Sequence, residues 1–268
     1  MAYSNKYEFE AAEVAEELVK WIKNYFVENG PNSKAVIGMS GGKDSTVCAA
    51  LCAEALGKER VVGVRMPCGT QVDIDFANKA CELYCGESLE VNIGGAFERL
   101  FEAVMDNYYG CDDKARDAVL TNMPARLRMT TLYGVAACVG GRVANTCNLS
   151  EDFVGYSTKF GDGAGDFSPL QNYTVDEVLA IGKVLGVPQE LLYKVPDDGM
   201  SGKTDEEKLG FTYKELDLYL REDIMPEYET FKNIMQRHER NVHKMKSMPA
   251  APFYGRCAYH RHYDEYAF

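Results

Sequence analysis

The chain has no C-x-x-C pair, no stretch near the roughly 20 apolar residues of a membrane span, and no excess of basic residues. Its nine cysteines (Cys48, Cys52, Cys68, Cys81, Cys85, Cys111, Cys138, Cys147 and Cys257) are odd in number and sit mostly inside apolar runs. A disulfide framework and a zinc ribbon are therefore disfavoured, and reduced, buried thiols in a reducing cytosol are expected. Cys48/Cys52 and Cys81/Cys85 share an i,i+4 spacing but have no histidine near them, so core packing is the better account. With 29 basic against 41 acidic residues the formal net charge is -12, which argues against a large nucleic-acid footprint. A local basic pocket is still compatible with that balance.

The N-terminus, MAYSNKYEFEAAEVAEELVKWIKNYF, lacks the basic and apolar regions of a signal peptide. With no membrane span either, the expectation is a soluble cytoplasmic protein. No internal repeat, low-complexity tract or dividing linker interrupts the chain. One domain over residues 1–268 is expected, with flexible loops near 157–169 and 196–210.

Hydrophobic spacing then sets the architecture. Val14, Leu18, Trp21, Ile22 and Phe26 recur every three or four residues, so the first thirty residues read as an amphipathic helix ended by Gly30-Pro31. Short β-branched runs at 34–39 and 60–66 alternate with helical patterns at 45–56 and 73–85, and a third apolar run at 89–93 precedes a helix over 94–108. The run 113–139 reads as mostly helical despite Pro124, and 141–146 as another buried strand. This is a βαβ rhythm: an α/β fold with a mostly parallel sheet flanked by helices on both faces, Rossmann-like in outline. Residues 147–171 break the rhythm and read as a functional loop, whereas 174–193 and 212–247 return to helix. The polar stretch 196–210 between them has the composition of a lid.

The segment AVIGMSGGKDSTVCAALC, 35–52, runs a strand through a tight Ser-Gly-Gly turn into a helix. A plain turn would need one glycine for a left-handed backbone and Asp44 or Ser45 as a cap. A Walker A loop needs G-x-x-x-x-G-K-[ST], and it fails twice: Asp44 follows Lys43, and Ile37 stands where the first glycine should be. A third reading uses every residue. Amides of Gly41, Gly42 and Lys43, hydroxyls of Ser40 and Ser45, and a helix N-terminus form a cradle for pyrophosphate. Asp44 would repel that anion unless Mg2+ lay between them.

The string resembles the S-G-G-x-D-S signature of the ATP pyrophosphatase (N-type) superfamily, with the adenine nucleotide alpha hydrolase-like fold that this implies. NMPARLRM (122–129), NTCNLSEDFVGYSTKFGDGAGDFSPL (145–170), KTDEEKLG (203–210) and HKMKSMP (243–249) follow in the order of the ammonia-dependent NAD synthetase family, and the likeness covers about residues 10–250. It implies ATP-dependent amidation of deamido-NAD by ammonia, giving NAD, AMP and pyrophosphate through an adenylated intermediate, in a homodimer whose interface forms the dinucleotide site.

The resemblance also implies residue roles. Asp44 and Glu151 match the magnesium ligands. Gly38, Met39, Ser40, Gly41, Gly42, Lys43, Asp44 and Ser45 match the ATP loop, and Thr146 matches a further ATP contact. Arg126, Lys159, Asp166, His243 and Lys244 match positions that hold deamido-NAD. Asp44, Lys159 and Asp162 form the implied catalytic set, with Asp162 orienting or deprotonating the incoming ammonium. The chain departs from the pattern at two other ATP positions, Val175 and Asp197, where the family has a lysine and a Ser/Thr. It departs again at Ala118, where an aromatic ring would stack on the pyridine. Lys43 or Lys183 can supply the missing charge, and Tyr108 or Tyr109 the missing ring.

These residue types suit the chemistry on its own terms. A carboxylate is a poor electrophile, so an amide requires a mixed anhydride, and charge collects on the departing pyrophosphate. Arg126 can grip a phosphate through two parallel bonds, and His243-Lys244 add donors. Plainer readings stand beside these: Glu151 and Lys159 as solvated charges, Asp162 and Asp166 as turn formers, His243 and Lys244 as part of the charged face RHERNVHKMK. The alternatives in function are a tRNA-modifying ATP pyrophosphatase and a non-catalytic nucleotide-binding relative.

Overall fold

Residues 7–108, 110–194 and 204–249 are described in a computed structural model of the 268-residue chain. The apolar stripe of the first helix, α1 (Ala11–Asn29), buries Leu18, Ile22 and Phe26. β1 (Ala35–Gly38) then feeds α2 (Lys43–Leu56), which is apolar on nearly every side and so lies inside the molecule. The chain continues through β2 (Val61–Arg65), α3 (Ile74–Tyr84), β3 (Glu87–Glu90), α4 (Gly94–Asn107) and α5 (Asp113–Val139). β4 (Arg142–Val143) and a single bridge from Ala144 to Phe167 complete the strands.

The sheet order is β3-β2-β1-β4 and every pairing is parallel. Side chains alternate as the pleat requires. Ala35, Ile37 and Val61 face one apolar cluster built from α1, α2 and the later helices, whereas Val36, Val62, Val64 and Val143 face another with Met129, Leu132 and Ala136 of α5. Both faces are thus covered by helices, and the near-continuous Val/Ile runs follow from that. Cys48, Cys52, Cys81 and Cys85 are buried in the first cluster, where core packing accounts for them. At Gly63 of β2 an added Cβ would lie 2.7 Å from the Cys85 sulfur and 2.8 Å from that of Cys81, so glycine is what lets α3 approach the strand.

Beyond the sheet come α6 (Leu149–Val154), α7 (Val175–Val184), α8 (Gln189–Leu192), α9 (Asp205–Leu209), α10 (Tyr213–Glu222) and α11 (Tyr228–Asn241). A third apolar cluster joins all of these except α8 through Val154, Val175, Leu209, Phe211, Leu216 and Ile234, while Leu191 and Leu192 of α8 lie in the first. Among the described residues no helix is long and apolar enough to cross a membrane.

Five expectations shift. The third strand sits at Glu87–Glu90, earlier than the 89–93 run, and past its end Val91 and Ile93 still donate to the carbonyls of Arg65 and Pro67. The 147–171 region is not wholly loop: Asn148 caps a short helix, α6, there. The 174–193 helix divides where Gly186 (φ 71°) and Pro188 intervene, and 212–247 divides at Asp223 (φ 55°) and Pro226. Of the 196–210 stretch, residues 204–210 are described, and 205–209 form α9 behind a Thr204/Glu207 capping box.

α7, α10 and the N-terminal segment are joined by one buried carboxylate. Glu177 accepts from Arg221 Nε at 2.7 Å and Nη2 at 2.7 Å, from the Thr174 amide at 2.7 Å and from the Tyr7 hydroxyl at 2.5 Å. Glu177→Ala should cost about 3–5 kcal/mol, because it strands Arg221 and opens the α7 cap. Urea denaturation checks this; a loss below about 1 kcal/mol would show that the network contributes little to stability.

Candidate functional site

The strand order reverses between β1 and β4, and a crevice opens at their carboxyl ends. Two chain segments leave the sheet there: 38–45 from β1 and 144–151 from β4. The first makes the tight turn. Gly41 is left-handed (φ 77°), and a Cβ on it would lie 2.5 Å from the Ala77 amide nitrogen and 2.7 Å from the Phe76 carbonyl carbon. Gly42 is extended and serves as the N-cap of α2. Inside the turn the Ser40 and Ser45 hydroxyls lie 3.0 Å apart, and the Gly42 amide donates to Ser40 Oγ at 3.2 Å. Met39 puts its side chain in the core and donates its amide to Val64, and the wall beside Gly38 is Met66 and Leu132. These two residues shape the turn and offer backbone only.

The second segment supplies the partners. Asn148, fully buried, donates from Nδ2 to Asp44 Oδ1 at 3.0 Å and accepts the Glu151 amide on Oδ1 at 3.0 Å. One side chain therefore holds the first turn of α2 against the first turn of α6. Lys43 Nζ bonds Asp44 Oδ2 at 2.9 Å and lies 5.9 Å from the centre of the Tyr213 ring. Burial works against the Lys43 charge, but Asp44 and Glu151 outweigh it and hold the ammonium above its ordinary range. The Glu151 carboxyl is pushed up to about 8, first by burial and then by Asp44, with Lys43 pulling the other way. Asp205, at the start of α9, accepts from the Tyr156 hydroxyl at 2.8 Å and faces the same group of charges. Thr146, on the second segment, is half-buried.

The 157–169 loop closes the other side and is braced by a buried asparagine. Asn145 Nδ2 donates to the carbonyls of Asp162 (2.9 Å) and Ala164 (3.2 Å), while its Oδ1 accepts from the Cys147 amide and Ser168. Asp162 Oδ1 accepts the Thr158 amide at 2.9 Å. One edge of Asp162 meets solvent, yet the surrounding protein pushes its carboxyl above the ordinary range, against the pull of that backbone bond. Asp166 anchors the loop to the sheet: Oδ2 accepts the Val143 amide at 2.7 Å and Oδ1 the Tyr133 hydroxyl at 3.2 Å.

A basic rim completes the crevice. Arg126 Nε donates to the Lys159 carbonyl at 3.3 Å, Lys159 Nζ to the His243 carbonyl at 2.9 Å, and Lys244 Nζ to the carbonyls of Gly155 (2.7 Å) and Ser157 (2.9 Å). Phe160, between Lys159 and the glycine loop, is a non-glycine residue in left-handed conformation (φ 63°) with its ring exposed. A cavity of about 290 Å³ lies under the rim, lined by Asn145, Asp152, Asp166, Ser168 and Lys244. Asp152 is buried there with Oδ1 unpartnered, and its carboxyl is pushed up to about 6 by burial and then by Asp162.

The crevice thus gathers residues 40–46, Thr146, Glu151, Lys159, Asp162, Asp166, Arg126, His243 and Lys244. It does not gather Val175, whose side chain is buried in the third apolar cluster. Lys183 is also elsewhere, over the Tyr193 ring, so Lys43 is the cation present in the cradle. Ala118 is exposed on α5, as is Tyr108 beyond α4. Asp197 and Tyr109 lie outside the described residues. Sequence reasoning missed Asn145, Asn148, Asp152, Asp205 and Tyr213. The two asparagines carried a signal, since both stand in a polar run directly after a buried strand. Asp152 and Tyr213 carried none, because an i,i+3 apolar pattern hides a tyrosine and a helix carboxylate looks solvated.

The two glycines of the turn make different predictions. Gly41→Ala should destabilise by about 2–4 kcal/mol, since the Cβ meets backbone and the φ is left-handed. Gly42→Ala, whose Cβ meets only Ser40 Oγ at 3.4 Å, should stay within about 1 kcal/mol of the parent. Equal losses in thermal unfolding would contradict this packing account.

Comparison with known proteins bears on the same elements. The model of the NAD synthase family matches residues 14–250. The NH(3)-dependent NAD(+) synthetase of Pyrococcus furiosus is 34% identical over 242 residues, covering 85% of this chain and 91% of its own length. Among solved structures, an NMN synthetase from Francisella tularensis is 32% identical with a TM-score of 0.82, covering 92% of this chain and all of the other. An NAD+ synthetase from Burkholderia pseudomallei is 28% identical with a TM-score of 0.73, covering 89% and 91%. The match runs from α1 through the glycine turn and the braced loop to the basic rim, and on that extent the chain belongs to the NAD synthase family.

Proposed function

We propose that the protein is a C–N ligase that uses ATP to amidate deamido-NAD with ammonia, giving NAD, AMP and pyrophosphate. The observation that carries this reading is the joining of two carboxylates, Asp44 and Glu151, beside a glycine cradle, within a chain that belongs to the NAD synthase family. The cradle amides and the α2 N-terminus favour the nucleotide's phosphates, and Lys43 adds a buried cation. The donor set is all oxygen, and burial together with the neighbouring Asp44 disfavours the unpaired Glu151 charge, which suits a hard divalent cation such as Mg2+. Among the described residues no set of three or more His, Cys, Asp or Glu side chains forms a metal cage. Two carboxylates with phosphate oxygens and water making up the shell fit Mg2+ better than a structural metal. Bound there, the ion would offset charge gathering on the phosphates.

The chain's own residues account for the rest. Arg126, Lys159, His243 and Lys244 orient the anionic dinucleotide along the rim. Its carboxylate oxygen attacks the α-phosphorus, the bond to pyrophosphate breaks, and an acyl adenylate forms. Ammonia then attacks the carbonyl carbon, the C–O bond to AMP breaks, and in this reading the Asp162 carboxylate holds the ammonium or takes its proton. Asp166, with both carboxylate oxygens engaged inside the chain, acts through the loop it anchors. A homodimer is supported by the family resemblance and by α4, whose outer face leaves Leu100 and Val104 exposed next to Tyr108. Free, mostly buried cysteines support a reducing, cytoplasmic setting.

A second reading concerns the carboxylate. The likeness to an NMN synthetase, at a TM-score of 0.82, and the exposed Ala118 where the family stacks an aromatic ring favour a shorter nicotinate mononucleotide as an alternative acceptor. The deciding experiment supplies ATP, Mg2+ and ammonium with each carboxylate in turn, and identifies the amide by mass spectrometry. Deamido-NAD as the substrate with the higher kcat/KM supports the main reading, the mononucleotide supports the second, and no pyrophosphate release with either sinks both. Glutamine in place of ammonium should give no product with the purified chain.

Asp44→Asn should fold normally yet lower kcat by at least about a hundredfold, since charge compensation is lost where charge develops. Wild-type turnover at saturating Mg2+ would remove Asp44 from that role.

A further inference from the structure

Tyr213 stands apart from the other aromatic residues of the third apolar cluster. It is 6% exposed, and its hydroxyl is buried with no hydrogen-bond partner among the described residues. A buried phenol normally finds an acceptor, and leaving it without one costs stability. The backbone of Tyr213 is held firmly: its amide donates to Glu206 Oε1 at 2.9 Å, and it opens α10 directly behind the Thr212/Glu215 capping box. The ring is therefore fixed in place, not left over from loose packing. Its face lies 5.9 Å from Lys43 Nζ, the cation bonded to Asp44. The contact with Lys43 sets the ring on the cradle side of the third cluster, within reach of the charges of Glu151, Asp205 and Asp44. Of these carboxylates, Asp44 already has Lys43 and Asn148 as donors, and Asp205 has Tyr156.

We infer that Tyr213 is a positioning residue for the nucleotide, with its ring holding Lys43 and its free hydroxyl reserved to donate a hydrogen bond to the phosphate and cation unit of bound ATP. The site and the ligand class rest on the ligase reading above; the role of α10 in it does not follow from any motif of the glycine turn. Through Tyr213 and Asp205, the 204–216 segment contributes to the nucleotide site from a part of the chain remote from the cradle.

Tyr213→Phe removes the hydroxyl alone and keeps the ring over Lys43. Calorimetric titration of the full chain with ATP and MgCl2, without carboxylate or ammonium, reads the effect directly. The variant's Kd for ATP should rise about tenfold, the change expected for one hydrogen bond to a charged group. Its melting temperature without ligand should be unchanged or higher, because an unpartnered buried hydroxyl has gone. In turnover, KM for ATP should rise while KM for ammonium stays the same. A variant that binds ATP as tightly as the parent overturns the inference and leaves the ligase reading intact. A parent chain that does not bind ATP overturns both. A purely packing role would move neither the ATP Kd nor the split between the two KM values.

Discussion

The site depends on a single buried amide. Asn148 uses its nitrogen on Asp44 and its oxygen on the Glu151 amide, and so joins the segment after β1 to the segment after β4 at the point where the sheet reverses order. A primary amide is a neutral side-chain group that can donate and accept at once over this short reach. Aspartate in its place would put a third carboxylate beside Asp44 and Glu151, and leucine would leave both partners short of a bond in the interior. The parallel sheet brings the two segments near each other; Asn148 turns nearness into a fixed geometry.

A similar device repeats on the loop side. Asn145 lies buried and spends its donors on the carbonyls of Asp162 and Ala164. Asp166 returns the loop to β4 through the Val143 amide, and Phe167 pairs with Ala144 as an extra rung of the sheet. A glycine-rich loop loses much entropy on ordering, and these bonds offset that loss. The left-handed backbone at Phe160 shows that the loop is held against its local preference.

The fold was legible because its signals are local. β1 and β2 are unbroken Val/Ile runs, α1 has a clean stripe, and the Gly41-Gly42 turn admits few backbone shapes. Helix breaks at Gly186-Val187-Pro188 and Pro226 were legible in principle, yet apolar spacing on either side outweighed them. α6 was hidden by the surrounding glycines and announced only by Asn148 at its cap. Within the site, the charged residues of the turn and rim were legible by type. For Asn145 and Asn148 only the place after a buried strand was legible; their partners, and the role of Tyr213, come from contacts across 17 to 104 or more residues of chain. Val175 shows the limit of carrying roles by position: the family's lysine position is occupied by a residue whose side chain is core.

The rim has a further consequence for how the protein is made. Lys159 reaches the carbonyl of His243, and Lys244 reaches those of Gly155 and Ser157, so the basic edge is built by the late helix α11 and the short turn after it. The glycine turn, Asn148 and Glu151 are all synthesised well before that point. On the ribosome, therefore, the two halves of the crevice are made at different times: the acidic half and its glycine turn leave the exit tunnel before residues 243 and 244 of the basic edge are joined to the chain. The order of synthesis separates in time two surfaces that the finished fold places side by side.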